Sequence, residues 1–167
     1  YGDGGAVFTA DTQLGEALRA VTNHGCKERE SHYILGTNGR CDSLQAAIIK
    51  AKFANFRDEE ITLRQQVGAR YSEALKDHLT VPVIRPGNTH IYAQYTIRPR
   101  DRNSLGEALK AADIPSAVYY RKPLHRQAVF ADLPCAKKTF PETDKAAKEV
   151  ISLPFHPYLS EREQDRI

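Results

Sequence analysis

The apolar residues change their spacing at Pro82, from a helical period to the alternation of a β-strand. Before that point, the longest segment with helical spacing covers about 58–79. After it, residues 91–97 alternate between apolar and polar side chains and predict a strand. The order strand, helix, strand, helix, strand after the long helix predicts an α/β chain that ends in a compact α+β domain. We expect a boundary near residue 75, which gives domains 1–75 and 76–167.

Helix-start signals support this order of elements. Three pairs have the spacing of a capping box, in which side chains at the first and fourth positions accept hydrogen bonds from each other's backbone: Asp42 with Gln45, Ser104 with Glu107, and Ser160 with Glu163. The helix over 43–53 is apolar around most of its circumference, which predicts burial on several sides. Residues 6–9 and 117–120 are expected to form short strands, and 26–40 a long loop.

Composition narrows the classes of function. A hydrophobic content of 41% and a charged content of 27% are typical of a soluble globular protein. No apolar run is long enough to cross a bilayer and no signal peptide opens the chain, so we expect a cytoplasmic protein with no membrane contact. The net charge is only +3 and both signs are interspersed, which argues against a nucleic-acid surface. The 3 cysteines and 6 histidines lack metal-ligand spacing, so no metal site is expected.

Three motifs, in order along the chain, carry the functional signal. They are Gly2-Asp3-Gly4-Gly5, Asn23-His24-Gly25, and the run Gly36-Thr37-Asn38-Gly39-Arg40-Cys41-Asp42-Ser43-Leu44-Gln45-Ala46-Ala47. The first two are weak by themselves, whereas Asn-x-Arg followed by Asp-x-Leu-Gln-Ala-Ala is specific. Together they resemble the DegT/StrS group of sugar aminotransferases, which use pyridoxal 5'-phosphate (PLP), and the resemblance covers all 167 residues.

The second half of the chain resembles one subgroup of that family. The segments Ile114-Pro115-Ser116-Ala117-Val118-Tyr119-Tyr120 and Ser152-Leu153-Pro154-Phe155-His156-Pro157 look most like enzymes that make 3-amino-3-deoxy uronic-acid nucleotide sugars for bacterial surface polysaccharides. The resemblance implies a fold-type I PLP-dependent transferase, of which this chain is the C-terminal part: the end of the large domain plus the small α+β domain. It also implies a homodimer with shared active sites, in which glutamate donates an amino group to a UDP-linked 3-keto uronic acid.

By motif register, the PLP lysine of the family would lie a few residues before Tyr1. No catalytic residue is therefore expected in this chain, and the missing N-terminal half of the enzyme is an expected partner. Two other functions stay open. One is a PLP-dependent sugar dehydratase of the same fold, with histidine in place of the lysine. The other is a non-catalytic fragment that only dimerises or binds nucleotide.

The resemblance also assigns binding residues. Asn38 would bind the PLP phosphate of the other subunit, although Asn38-Gly39 is equally a favoured turn dipeptide. Arg40 would meet a carboxylate or phosphate of the substrate, and a surface ion pair is the alternative. Tyr119 and Tyr120 match a pair that lines the sugar pocket, although the family commonly has histidine where Tyr119 stands, and strand packing is the alternative.

Two histidines are further candidates for substrate binding. His32 lies in the segment before the signature, where a mobile surface role is the alternative. His125 follows Pro-Leu in the second half of the chain.

Overall fold

The computed structural model describes residues 4–167, so Gly2 and Asp3 of the first motif lie outside the described residues. Its internal contacts divide the chain into two compact units, the first ending at Phe56 and the second running from Arg57 to Ile167. The predicted boundary near residue 75 stays a prediction about the domains of the complete protein. Within this chain, the long helix belongs to the second unit.

The first unit is built around one helix and one hairpin. Helix α1 (Thr12–Thr22) begins at Asp11, whose carboxylate accepts a hydrogen bond from the Leu14 backbone N–H at 3.1 Å. Strands β1 (Cys26–Glu28) and β2 (Ser31–His32) pair antiparallel, so the prediction of a long loop over 26–40 was wrong for its first part, which is a hairpin. Residues 6–9 form no strand in the part of the chain that the structure describes.

Helix α2 (Ser43–Asn55) begins at the predicted capping box, where the Asp42 backbone N–H donates to Gln45 Oε1 at 3.3 Å. The predicted burial of this helix on several sides was wrong for this chain. None of its residues is buried, and Leu44 and Phe53 are 74% and 55% exposed. The residues of this chain do not provide enough surface to cover a helix that is apolar on most of its sides.

A five-residue π-helical turn (Phe56–Glu60) leads from α2 into the second unit. That unit contains, in chain order, α3 (Ile61–Leu75), β3 (Tyr95–Ile97), α4 (Arg102–Ala111), α5 (Pro141–Glu149), β4 (Ile151–Leu153) and α6 (Glu161–Arg166). Strands β3 and β4 pair antiparallel, with Thr96 opposite Ser152. The strand predicted over 117–120 is reduced to a single bridge between Ala117 and Ser152.

The core of the second unit lies between α3 and the β3–β4 pair. Its buried members are Val67, Tyr71, Tyr92, Tyr95, Ile97, Leu109, Ile114, Ile151 and Leu153. The buried hydroxyls keep partners, because Tyr95 Oη lies 2.8 Å from Ser72 Oγ and Tyr71 donates to the Pro154 carbonyl at 3.0 Å. Burial raises the pKa of Tyr71 and of Tyr95, so both phenols stay protonated and neutral in the core.

Helix α4 begins at Arg102, two residues before the predicted capping residue, Ser104. Its cap is Asp101, whose Oδ1 accepts from the backbone N–H groups of Asn103 at 2.9 Å and Ser104 at 3.0 Å. The hydrogen bonds from Ser104 and Asn103 lower the pKa of Asp101, and its carboxylate therefore stays charged beside the helix N-terminus.

The short helix α6 begins at the capping box of Ser160 and Glu163, as predicted. It is attached to α3 by Gln164, whose Nε2 donates to the Val67 carbonyl at 3.0 Å. This buried contact joins the last helix of the chain to the core of the second unit.

Candidate functional site

The signature segment lies against the C-terminal end of α1. The Thr37 N–H donates to the Val21 carbonyl at 2.8 Å, and the Gly39 N–H donates to the Thr22 carbonyl at 2.9 Å. The His24 N–H donates back to the Thr37 carbonyl at 3.0 Å. The last carbonyls of a helix lack partners within the helix, and these bonds satisfy two of them. The backbone on both sides of Asn38 is therefore held by the end of α1.

Two glycines make this approach possible. Gly25 has a φ of +79°, and a Cβ there would lie 1.8 Å from the Ile34 carbonyl oxygen. A Cβ on Gly36 would lie 2.1 Å from the Gly25 nitrogen. Both distances are far inside van der Waals contact with backbone atoms, so neither position accepts a side chain without moving the signature segment.

Asn38 and Arg40 come together with a third residue, Asn23. Arg40 Nε donates to Asn38 Oδ1 at 3.1 Å, and Arg40 Nη1 donates to Asn23 Oδ1 at 3.3 Å. The backbones of the two asparagines also meet in an isolated antiparallel bridge. Arginine has no hydrogen-bond acceptor, so both amide oxygens must face it. We call Asn23, Asn38 and Arg40 the donor cluster, because N–H donors are what these side chains leave for a ligand. The amide NH₂ groups remain as donors on the other side.

No carboxylate among the described residues neutralises the charge of the donor cluster. Arg40 and Asn38 are exposed, and Arg40 forms no ion pair with any carboxylate among residues 4–167. A guanidinium held by neutral amides keeps its full positive charge, and its free N–H groups match the geometry of a carboxylate or phosphate. The arrangement is suited to binding an anion.

His32 lies on β2 in the same unit. Its Nδ1 is 2.9 Å from the His24 carbonyl oxygen and 3.1 Å from Cys26 Sγ. Because a carbonyl oxygen only accepts, Nδ1 carries the proton in this arrangement. The hairpin thus fixes the ring of His32, and its role in substrate binding stays a prediction.

In the second unit, Tyr119 and Tyr120 follow the bridge at Ala117. Their side chains are 45% and 73% exposed, and their rings meet edge to face with centroids 5.6 Å apart. Tyr119 lines a cavity of about 370 Å³ together with Gln94 and Phe155. The structure thus leaves both phenol rings accessible, and their predicted place in the sugar pocket stays a prediction.

His125 is packed inside the second unit. Its side chain is only 9% exposed, its ring centroid lies 4.8 Å from that of Phe140, and its Nε2 lies 3.5 Å from Asp144 Oδ1. Arg126 donates two hydrogen bonds to Asp144, and these lower the pKa of that carboxyl. The described contacts of His125 are with Phe140 and Asp144 of the same unit, and its predicted substrate role stays a prediction.

Asn23 is the member of the donor cluster that the sequence did not reveal. The sequence placed it in the Asn-His-Gly motif but gave it no binding role, and it is separated from Arg40 by 17 positions. No local spacing rule connects residues that far apart, so the contact becomes visible only in the folded unit.

Among residues 4–167, no three His, Cys, Asp or Glu side chains come together in a way that would hold a metal ion. None of the helices in that range is both long and apolar enough to span a membrane.

A model of the DegT/DnrJ/EryC1/StrS aminotransferase family matches residues 1–167. The UDP-2-acetamido-2-deoxy-3-oxo-D-glucuronate aminotransferase of Pseudomonas aeruginosa is 48% identical over 95% of this chain and 44% of its own length. The "Pleiotropic regulatory protein" of Geobacillus stearothermophilus is 40% identical over 100% of this chain and 46% of its own length.

A solved structure agrees with these sequence matches. The crystal structure of a DegT/DnrJ/EryC1/StrS aminotransferase from Brucella abortus superposes with a TM-score of 0.85 and 39% identity, over 95% of this chain and 43% of that one. The resemblance and the fold predicted from it are thereby confirmed. The chain spans less than half the length of the curated relatives it matches.

Proposed function

The chain belongs to the DegT/DnrJ/EryC1/StrS aminotransferase family, and from that membership we propose that it is the C-terminal part of a PLP-dependent sugar aminotransferase. The complete protein would move an amino group from glutamate to a keto nucleotide-sugar. The donor cluster is the observation that carries the proposal, because the cofactor PLP and the nucleotide-sugar substrate of such an enzyme are both anions. The relative from Pseudomonas aeruginosa, whose name specifies a UDP-linked 3-oxo-glucuronate, supports a UDP-linked 3-keto uronic acid as the substrate.

Asn38 is the residue of this chain that would hold PLP. Its oxygen is taken by Arg40, so its NH₂ group is left to donate, and a phosphate oxygen can only accept. The donor set therefore fits the phosphate of PLP, which when bound supplies the electron sink for amino transfer. We place the PLP lysine outside this chain, and Asn38 in the active site of the partner subunit of a homodimer.

Arg40 is the residue that would recognise the sugar acid. Its uncompensated charge and planar N–H groups suit bidentate contact with the uronate carboxylate. Tyr119 and Tyr120 add two exposed hydroxyls that can donate to the sugar. In this proposal His32 and His125 are secondary candidates, the first with its ring held by the hairpin and the second nearly enclosed.

The exposed apolar surface of the first unit supports a larger assembly. Phe8 is 92% exposed and Val7 72%, in addition to the exposed apolar face of α2. Extensive exposed apolar surface usually lies in an interface. We propose that the rest of the same protein and the second subunit cover it.

The first experiment is a visible absorption spectrum of the complete protein with PLP, before and after glutamate. An aminotransferase shows a band that bleaches with glutamate and returns when the keto sugar is added. A sugar dehydratase consumes the sugar without forming 2-oxoglutarate from glutamate. A spectrum identical to that of free PLP would contradict both functions and favour a binding role only.

Variants of the donor cluster then test the assignment of residues. We expect Asn38→Ala to weaken PLP binding about tenfold, as for one hydrogen bond to a charged group. Arg40→Ala should raise the KM for the uronate substrate about 10- to 100-fold and weaken PLP binding less than Asn38→Ala does. Asn88→Ala, at an exposed turn of the second unit, is the matched control and should change neither. Parent-like behaviour of both cluster variants would refute the assignment.

A further inference from the structure

The orientation of the Arg40 guanidinium is set by two neutral side chains. Its Nε is held by Asn38 at 3.1 Å and its Nη1 by Asn23 at 3.3 Å. No residue among 4–167 accepts a hydrogen bond from Nη2. The planar group is therefore held at two of its three nitrogens, and Nη2, with the second hydrogen of Nη1, is left to meet an oxyanion.

Asn23 is itself held by the backbone. Its N–H donates to the Ala20 carbonyl at 3.0 Å, and its carbonyl accepts from the Cys26 N–H at 3.0 Å. Its Cα faces that of Asn38 in the antiparallel bridge, and its side chain is half-buried. The amide that meets Arg40 therefore starts from a rigid position, at the junction of α1 and the hairpin.

A neutral acceptor at this position has a specific consequence. A carboxylate would also hold the guanidinium, but it would offset the charge that attracts an anion. An amide holds the guanidinium and leaves that charge available. A long, flexible arginine that is already oriented loses less rotational freedom when it binds its ligand.

We infer that Asn23 is a positioning residue, which orients Arg40 so that its free Nη edge binds the carboxylate of a nucleotide-linked uronic acid. This inference rests on the proposed function, because it takes Arg40 as the group that meets the substrate. Asn23 acts through Arg40, so its removal should weaken binding only of ligands that carry the carboxylate.

The test is equilibrium binding of two nucleotide sugars, UDP-glucuronic acid and UDP-glucose, to the complete protein. They differ only in the carboxylate, and neither needs to react. We expect Asn23→Ala to weaken the binding of UDP-glucuronic acid about tenfold, and Arg40→Ala to weaken it about 10- to 100-fold. The affinity for UDP-glucose should change little in both variants. The double variant should bind as Arg40→Ala does, because coupled residues are not additive.

Two further variants sharpen the result. Asn23→Asp keeps an acceptor of the same shape but adds a negative charge. It should weaken the binding of UDP-glucuronic acid at least as much as Asn23→Ala does. Asn103→Ala is the matched control, because Asn103 also accepts from an arginine, Arg102, at 3.4 Å, but in the second unit. It should leave both affinities unchanged.

The outcomes distinguish the substrate-binding role of Arg40 from the positioning role of Asn23. If Arg40→Ala binds both ligands like the parent, Arg40 does not meet the sugar acid, and the proposed role of that residue fails together with this inference. If Arg40→Ala loses UDP-glucuronic acid but Asn23→Ala and Asn23→Asp do not, only the positioning role is refuted. The positioning role is also refuted if Asn23→Ala weakens the binding of both ligands equally, or if its effect on affinity adds to that of Arg40→Ala. Either result is what a general loss of structure would produce.

Discussion

Replacing Gly68 by alanine should destabilise the second unit, because this position of α3 lies directly against the ring of Tyr92. A Cβ on Gly68 would lie 2.3 Å from Tyr92 Cε2. The ring is only 3% exposed, and its centroid lies 4.3 Å from that of His90, 5.6 Å from that of Tyr95 and 5.7 Å from that of Phe155. It is enclosed by other rings and cannot swing away at little cost.

Two opposing effects set the expected magnitude. Overpacking a filled core costs about 1–3 kcal/mol, and we take about 3 kcal/mol because the clash is with an enclosed ring. Alanine in a helix interior gains about 1 kcal/mol over glycine. The net loss for Gly68→Ala is then about 2 kcal/mol in the free energy of unfolding.

Gly106→Ala is the matched control in α4 of the same unit. A Cβ there would lie 3.7 Å from Ile151 Cδ1, an ordinary contact. Only the helix-propensity gain remains, so this variant should be more stable than the parent by about 0.5–1 kcal/mol. The two substitutions are chemically identical and are expected to have opposite signs.

The assay is urea unfolding of the complete protein, followed by far-UV circular dichroism, with parent and variants in parallel. Gly68→Ala should lower the unfolding midpoint and Gly106→Ala should raise it, at unchanged slope. If Gly68→Ala were as stable as the parent, the ring of Tyr92 would not occupy the space above Gly68. Destabilisation of both variants by the same amount would show that local contacts do not decide the outcome.

Two further predictions test the signature segment and an ion pair. Gly36→Ala should release the signature segment from α1, since its Cβ would lie 2.1 Å from the Gly25 nitrogen. We expect the amount of PLP retained after dialysis to fall at least tenfold, while the second unit keeps its stability. Unchanged retention would contradict the described backbone contact. The Arg126 guanidinium holds the pKa of Asp144 below its ordinary value, so the stabilisation is complete above pH about 4 and is lost as the pH falls through the lowered pKa. We therefore expect the stability difference between the parent and Asp144→Asn, measured by urea unfolding, to be constant above that pH and to shrink below it. The control variant Asp132→Asn should show no such trend. A stability difference that grows on acidification would contradict the prediction.

Local sequence patterns located two of the three helix starts that were predicted from capping boxes. The Asp42–Gln45 and Ser160–Glu163 capping boxes both start helices where predicted, because a capping box involves only neighbouring backbone groups. The same rule failed for Ser104, since Asp101 three residues earlier accepts from two backbone N–H groups and competes successfully for the cap.

The strands were predicted less well, because a strand exists only if a partner reaches it. Residues 6–9 have the composition of a strand, but no strand pairs with them in the described part of the chain. The predicted strand over 117–120 keeps one bridge, at Ala117, because β4 offers it only Ser152. Pairing depends on distant segments, which local alternation does not report.

By itself, the sequence determined the order of the helices, the family and two of the three members of the donor cluster, because capping and motif spacing are local properties. Only the tertiary structure decided that Asn23 joins Arg40 and Asn38, and that no carboxylate in the described part of the chain pairs with the cluster. The end of α1 and the signature segment meet through backbone hydrogen bonds that Gly25 and Gly36 permit. Contacts of that kind depend on how two segments approach each other in space, and the spacing of residues along a chain does not specify this.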